Sequence, residues 1–327
     1  MKGLRKLAAF ALAAACATPV IARAQTPPAT PAPEASPPVE AAPAPLSEGG
    51  FDVSKLTPEQ QEALRLAIIK TSQNPLGNIS VLPFQNNFNY GVGPYTRYQY
   101  NLNIQPVVPI MLSDTLNLVA RTIFPVVDQP SFAPPTVCAT TGCGSTFGVG
   151  DTQEQLFFAP KTKPGQVIWG AGPTLSFPTG SPQNILGSGK WGAGVDAAAL
   201  VMPGKWVIGT LVTQTWSYAG QQNRPNYSNF FVQPFVNYNL KDGWAISSAP
   251  SITANFASAA NKWAVPLGGG VGKTFKAGDQ LMSVAVQYWT YVVRPIASPQ
   301  TQLRVQWALL WPVKRGINIA DLLQEAK

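Results

Sequence analysis

From Arg97 to Val108 apolar and polar side chains alternate without a slip, Tyr98, Tyr100, Leu102, Ile104, Pro106 and Val108 against Arg97, Gln99, Asn101, Asn103 and Gln105. Successive strand side chains point to opposite faces, so this period predicts a β-strand with one apolar face and one face of amides and a guanidinium. The run is long enough for a tilted strand to cross a bilayer's hydrocarbon layer, which takes about 9–11 residues. In a soluble sandwich charges would dominate outside. Here the polar face is mostly uncharged amide, as expected of a wet barrel lumen.

Strand-patterned runs recur twelve times, near 79–92, 95–110, 115–127, 151–160, 166–178, 190–202, 205–218, 228–240, 244–257, 262–275, 280–294 and 301–312. Tight turns follow the even-numbered runs: Leu112-Ser113-Asp114, Lys163-Pro164-Gly165, Pro203-Gly204, Lys241-Asp242-Gly243 and Lys276-Ala277-Gly278-Asp279. Mostly longer polar loops follow the odd ones, the longest being Asp128 to Gly150. Short turns at one end, long loops at the other and an even strand number are the arrangement of bacterial outer-membrane barrels. The expected fold is therefore all-β, a transmembrane antiparallel β-barrel of about twelve strands spanning 79–313, with a short N-terminal periplasmic helix.

In the last run Leu303, Val305, Trp307, Leu309 and Trp311 face one way and Gln302, Arg304 and Gln306 the other. A guanidinium facing lipid costs about 2–4 kcal/mol at the midplane, so Arg97, Arg121 and Arg304 are expected in the lumen. With them go Gln99, Asn101, Asn103, Gln105, Gln302 and Gln306, luminal acids such as Asp196 as partners for the arginines, and small residues that leave space: Gly192, Gly194, Ala198, Ser247, Ser251 and Thr253. Trp206 and Trp244 follow the turns, and Trp191, Trp263 and Tyr98 follow the loops. That placement predicts two interfacial aromatic girdles.

Ahead of the barrel, Thr57 reads as an N-cap, Pro58 suits the first helical position and Gln60 completes a capping box. Leu64, Ala67 and Ile68 with Leu56 form an apolar stripe, and the helix is expected to end near Ser72, within a periplasmic segment 51–78. It either packs under the barrel mouth or enters it as a plug. Residues 25–50 are almost wholly Pro, Ala, Ser, Thr and Glu and predict a disordered linker. Residues 1–24 read as a secretory signal, with Lys2, Arg5 and Lys6, an apolar run, and cleavage after Ala24. Ala13-Ala14-Ala15-Cys16 offers lipidation instead, but apolar sequence continues past Cys16. Residues 314–327 form a C-terminal tail.

Composition narrows the chemistry. Charged residues make up only 12% of the chain, about half the usual share. Losing the signal takes the formal charge from +8 to +4, and no Lys/Arg run suggests nucleic acid. No segment approaches 18 uninterrupted apolar residues, so strands rather than a helix would cross the membrane. The chain has no His, so neither a Ser-His-Asp triad nor a histidine metal site can be built. An enzyme is not expected, nor any cofactor. Cys138 and Cys143, in the longest loop, are expected to form a disulfide in an oxidising compartment. Gly187-Ser188-Gly189-Lys190-Trp191-Gly192 and Gly272-Lys273-Thr274 imitate phosphate-binding strings, but each adjoins strand pattern and neither opens a helix.

Ser72-Gln73-Asn74-Pro75 running into Pro83-Phe84-Gln85-Asn86-Asn87-Phe88-Asn89, then Leu102 to Pro109 and Arg121 to Val126, resembles the outer-membrane barrels named for the MetA pathway of phenol degradation. The resemblance spans about residues 72–315. It implies a membrane-embedded barrel that passes small molecules, hydrophobic or aromatic ones among them, and it supplies no catalytic residue. The partners expected are the outer-membrane bilayer, small solutes and the barrel-assembly machinery, for which Trp311 would be the aromatic signal. A passive channel, a closed platform that binds partners, and a secreted soluble β-protein remain as readings. The small residues expected in the lumen, Gly192, Gly194, Ala198, Ser247, Ser251 and Thr253, favour open space and so the channel.

Overall fold

The computed structural model describes residues 57–312 apart from 142, 164, 261 and 279. The signal segment with its cleavage after Ala24, the linker 25–50, residues 51–56 and the tail 314–327 lie outside the described residues, as does the side chain of Gln60.

Fifteen strand segments form one closed antiparallel sheet of twelve staves. In chain order they are β1 (Ile79–Val92), β2 (Arg97–Ile104), β3 (Val107–Met111), β4 (Leu116–Pro130), β5 (Ser145–Val149), β6 (Thr152–Pro160), β7 (Ile168–Phe177) and β8 (Lys190–Val201). Then come β9 (Trp206–Gly220), β10 (Ser228–Asn239), β11 (Trp244–Ser248), β12 (Ile252–Asn255), β13 (Trp263–Ala277), β14 (Gln280–Val293) and β15 (Thr301–Pro312). Each stave pairs with the next, and β15 returns to β1 in register from Ile79↔Pro312 to Tyr90↔Thr301. Closure leaves no edge strand, which a sheet in lipid requires.

Three staves are broken, which the alternation pattern did not foresee. The run 95–110 bends at Gln105-Pro106, where Pro106 has no N–H to give, yet Pro106 O still accepts from Thr122 N at 3.1 Å. β5 and β6 are two parts of one stave, both paired with β4 and separated by Gly150-Asp151. The expected loop 128–150 therefore begins only after Pro130, and its centre holds α2 (Pro135–Thr141) and the disulfide Cys138–Cys143. The run 244–257 is interrupted at Ala249-Pro250-Ser251 between β11 and β12.

The outer face carries two aromatic rings. Trp169, Trp206, Trp244 and Trp311 lie exposed near the turn end, and Tyr90, Tyr98, Trp191, Trp216 and Trp263 near the loop end. Between them Ile110, Val195, Ile208, Val236, Ile246, Val271 and Val286 point outward, also exposed. So large a belt of apolar side chains suits lipid and not water.

The loop end is fastened by arginines. Arg97 donates to Ser131 O and, at 2.7 Å, to Ala133 O, with Cys138 Sγ 3.1 Å from Nη2. The connection carrying α3 (Gln183–Leu186) is gathered by Arg224, whose guanidinium donates to the carbonyls of Gln183, Asn184, Gly187 and Ser188.

At the turn end stands α1 (Pro58–Gln73), started by Gln61 N donating to Thr57 O at 2.9 Å. Leu64 and Ala67 are buried as the stripe predicts, and Ile68 is half-buried. Ile69 and Lys70 are buried as well, so the last turn is enclosed on more than one side. The reason is position: α1 touches β1 and, across the ring, β9 and β10. Gln73 and Asn239 exchange a reciprocal amide pair at 2.9 and 3.1 Å, and Asn239 Nδ2 also reaches Lys205 O.

Replacing both Cys138 and Cys143 with Ala should leave the barrel folded and loosen only the 131–144 loop, by about 2 kcal/mol in the chain-entropy model. Limited proteolysis reads this as faster cutting within the loop; an unchanged cutting rate would contradict it.

Candidate functional site in the barrel lumen

Inward-facing side chains of nine staves join in one hydrogen-bonded belt. Asp196 on β8 accepts from Thr213 on β9 and, at 3.0 Å, from Gln155 on β6. Gln155 Oε1 accepts from Arg121 Nη1 at 3.1 Å, and Arg121 Nη2 donates to Gln105 Oε1 at 2.7 Å. Gln105 continues to Gln85, Gln85 to Asn87, and Asn87 Oδ1 accepts from Arg304 Nε at 3.1 Å. From Arg304 the belt runs to Gln302 and to Ser251, and Gln233 on β10 donates to Ser251 at 3.0 Å. A branch toward the loop end links Gln302, Asn89, Gln99 and Gln129. Buried amides and guanidinium groups are tolerated here because nearly every one finds a partner.

The belt does not fill the barrel. On the β4 to β10 side, toward the turn end, the interior is an apolar cluster of Val119, Phe157, Ala198, Leu200, Val207, Leu211 and Phe235, capped by Leu76 just after α1. The wet lumen expected all round is thus a packed core over part of its wall, and Ala198, expected to leave space, is buried in that core. Opposite lies a cavity of about 290 Å³ lined by Gln85, Gln105, Arg121, Gln233, Gln287 and Arg304 among others. Ser72, Gln73, Asn74 and Pro75 close its floor, so the end of α1 stands in the mouth of the lumen.

The candidate residues fall into distinct places. Gln105, Arg121, Arg304 and Gln306 line the cavity. Gln99 and Gln302 belong to the branch above it. Asn101 accepts on its backbone carbonyl from Asn87 Nδ2, and Asn103 pairs with Gln85 across β1 and β2. Arg97 sits at the loop end and holds the loop instead of facing the cavity. Asp196 is joined to Arg121 only through Gln155; it makes no ion pair with Arg97, Arg121 or Arg304 among the described residues. Gln85, Asn87, Asn89, Gln155, Thr213 and Gln233 were not foreseen. For the β1 amides the alternation Gln85, Asn87, Asn89 was the available signal, obscured by Asn86 between them. Asn86 faces outward and is held by Tyr100 Oη at 2.7 Å.

No protein-family model matches the chain, and no curated protein matches it. Solved structures do. An outer-membrane channel of Pseudomonas putida F1 superposes with a TM-score of 0.53 at 16% identity, over 71% of this chain and 94% of that one. The NanC porin gives 0.45 at 10% identity over 71% and 100%, and outer-membrane phospholipase A of Escherichia coli 0.38 at 10% over 70% and 95%. The class the fold defines is the closed twelve-stranded antiparallel barrel, the architecture of the Pseudomonas channel.

Gln155→Leu would strand Arg121, Asp196 and Thr213 without their shared partner, a loss on the order of 3 kcal/mol. Urea unfolding of the detergent-folded barrel, followed by its heat-dependent gel shift, should show a lower midpoint. An unchanged midpoint would mean that the belt is idle.

Proposed function

We propose that this protein is a passive channel of the bacterial outer membrane, exported through residues 1–24 and inserted by the barrel-assembly machinery. Small solutes cross its lumen, hydrophobic or aromatic ones among them as the likeness to the MetA-pathway barrels implies. The observation that carries the reading is the cavity, lined by amides and by two guanidinium groups that no carboxylate neutralises directly. A structural core would exclude such groups; a solute path wants polar walls and space. The outward apolar belt and the two aromatic rings support the membrane setting.

A closed platform is the second reading, favoured by one observation. The end of α1 floors the cavity and is pinned to Asn239. In our reading α1 is a partial plug that narrows the turn-end mouth.

Single-channel recording in planar bilayers tests this, comparing the mature chain with a version lacking residues 25–72. Stepwise currents are expected from both, larger without the helix. Silence from folded, inserted protein of both forms would favour the platform. In the conducting form, Arg121→Glu combined with Arg304→Glu should move the reversal potential under a salt gradient toward cation selectivity. An unmoved potential would take both arginines out of the path.

A further inference from the structure

We propose that the wall carries a second, lateral opening at the β11/β12 break, through which an amphipathic monocarboxylate passes between lumen and lipid. The inference rests on the channel reading and adds a direction and a substrate class to it.

The break is two-sided. Against β10, pairing stops between Val236↔Ser248 and Val232↔Ile252. Against β13 it stops between Ser247↔Gly270 and Thr253↔Ala264. No residue is inserted or lost across either gap, so the stave has bowed away from its neighbours and kept its register. Three adjacent staves place a proline there, Pro234, Pro250 and Pro266, and each lacks the N–H a ladder needs. Beside them Gly268 holds φ 154°, a conformation that favours glycine. The bow is inward: Ala249 packs against the inner apolar cluster, and Ser251 Oγ lies 3.4 Å from Arg304, three staves away. Carbonyls released by the break are held by side chains, Ala249 O by Gln233 at 3.3 Å and Gly268 O by Ser248 Oγ at 2.7 Å. The gap lies midway between Trp244 and Trp263, at the depth of the membrane's apolar layer.

Its two lips differ in chemistry. Outside are Val236, Ile246 and Leu267, all exposed. Inside, Ala249, Gln233 and Arg304 belong to the cavity wall, so the break borders the cavity. Arg304 stacks on Trp289 at 5.3 Å, and none of its hydrogen bonds is to a carboxylate. The indole N–H of Trp289, 1% exposed, has no acceptor among the described residues. An unneutralised guanidinium beside an orphan donor calls for an anionic acceptor, and a lipid-facing exit calls for an apolar body. A carboxylate on a long alkyl or aryl chain meets both.

Two arms test the opening. The wild-type barrel in lipid nanodiscs is irradiated with a fatty acid carrying a diazirine near its methyl end, and with the corresponding alcohol. Mapped peptides should show the acid concentrated on 244–270 and the alcohol spread evenly, and Arg304→Gln should lower that labelling about ten-fold, the loss expected of one charge-assisted hydrogen bond. Even labelling by the acid would overturn the proposal. In the second arm, Ser248→Cys with Gly269→Cys stitches the edge of the gap; a Cβ at Gly269 would lie 3.4 Å from Ser248 Cβ, close to disulfide range, and the backbone at Ser247 O, 2.7 Å away, has to shift to admit it. Oxidation should stop uptake of the fatty acid by cells and leave single-channel current unchanged, and a reductant should restore uptake. A conducting parent whose uptake ignores a stitch verified by mass spectrometry removes the lateral opening alone; a parent that never conducts removes the channel reading with it.

Discussion

Every backbone N–H and C=O in a lipid-facing wall needs a partner inside the protein, because the hydrocarbon offers none. The rest of the molecule follows from that constraint. It forces the first stave to meet the last, and it makes each place where the ladder fails informative. At Gln105-Pro106 the failure is repaired by neighbouring carbonyls and amides. At Ala249-Pro250-Ser251 side chains make the repair, Gln233 on the carbonyl of Ala249 and Ser248 on that of Gly268.

Within the ring the interior is divided. Half is an ordinary apolar core anchored by Leu76, and half is a polar chamber in which guanidinium groups are held by amides and not by acids. Amides can satisfy an arginine's N–H groups without cancelling its charge. The chamber therefore keeps guanidinium groups without a directly paired carboxylate while most of its polar groups are hydrogen-bonded, a combination that a buried ion pair would not give.

Much of this was legible in the chain. Two-residue alternation from Ile79 to Trp311 fixed the number of staves, and the tight turns fixed which ends adjoin. Trp206, Trp244, Trp191 and Trp263 marked the two interfaces because an amphipathic ring has one favoured depth. Where both faces are apolar, as along Leu156-Phe157-Phe158 and Leu211-Val212, the alternation disappears, and so it could not separate Phe157 and Leu211, which pack inward, from their lipid-facing neighbours. Nor could it show that Arg97 lies beyond the lumen, since height along a stave leaves no mark on alternation. Pro250 was the readable sign of the break, overlooked because the residues on either side keep strand composition.

The clamp at the loop end has a consequence of its own. Arg97 holds the disulfide-bearing loop through the carbonyl oxygens of Ser131 and Ala133, and carbonyls carry no proton to gain in acid and no charge to surrender to dissolved cations. A carboxylate in their place would let go as the medium acidified. The loop above the mouth is thus secured by a contact that neither the protonation of an acid nor a competing cation can undo.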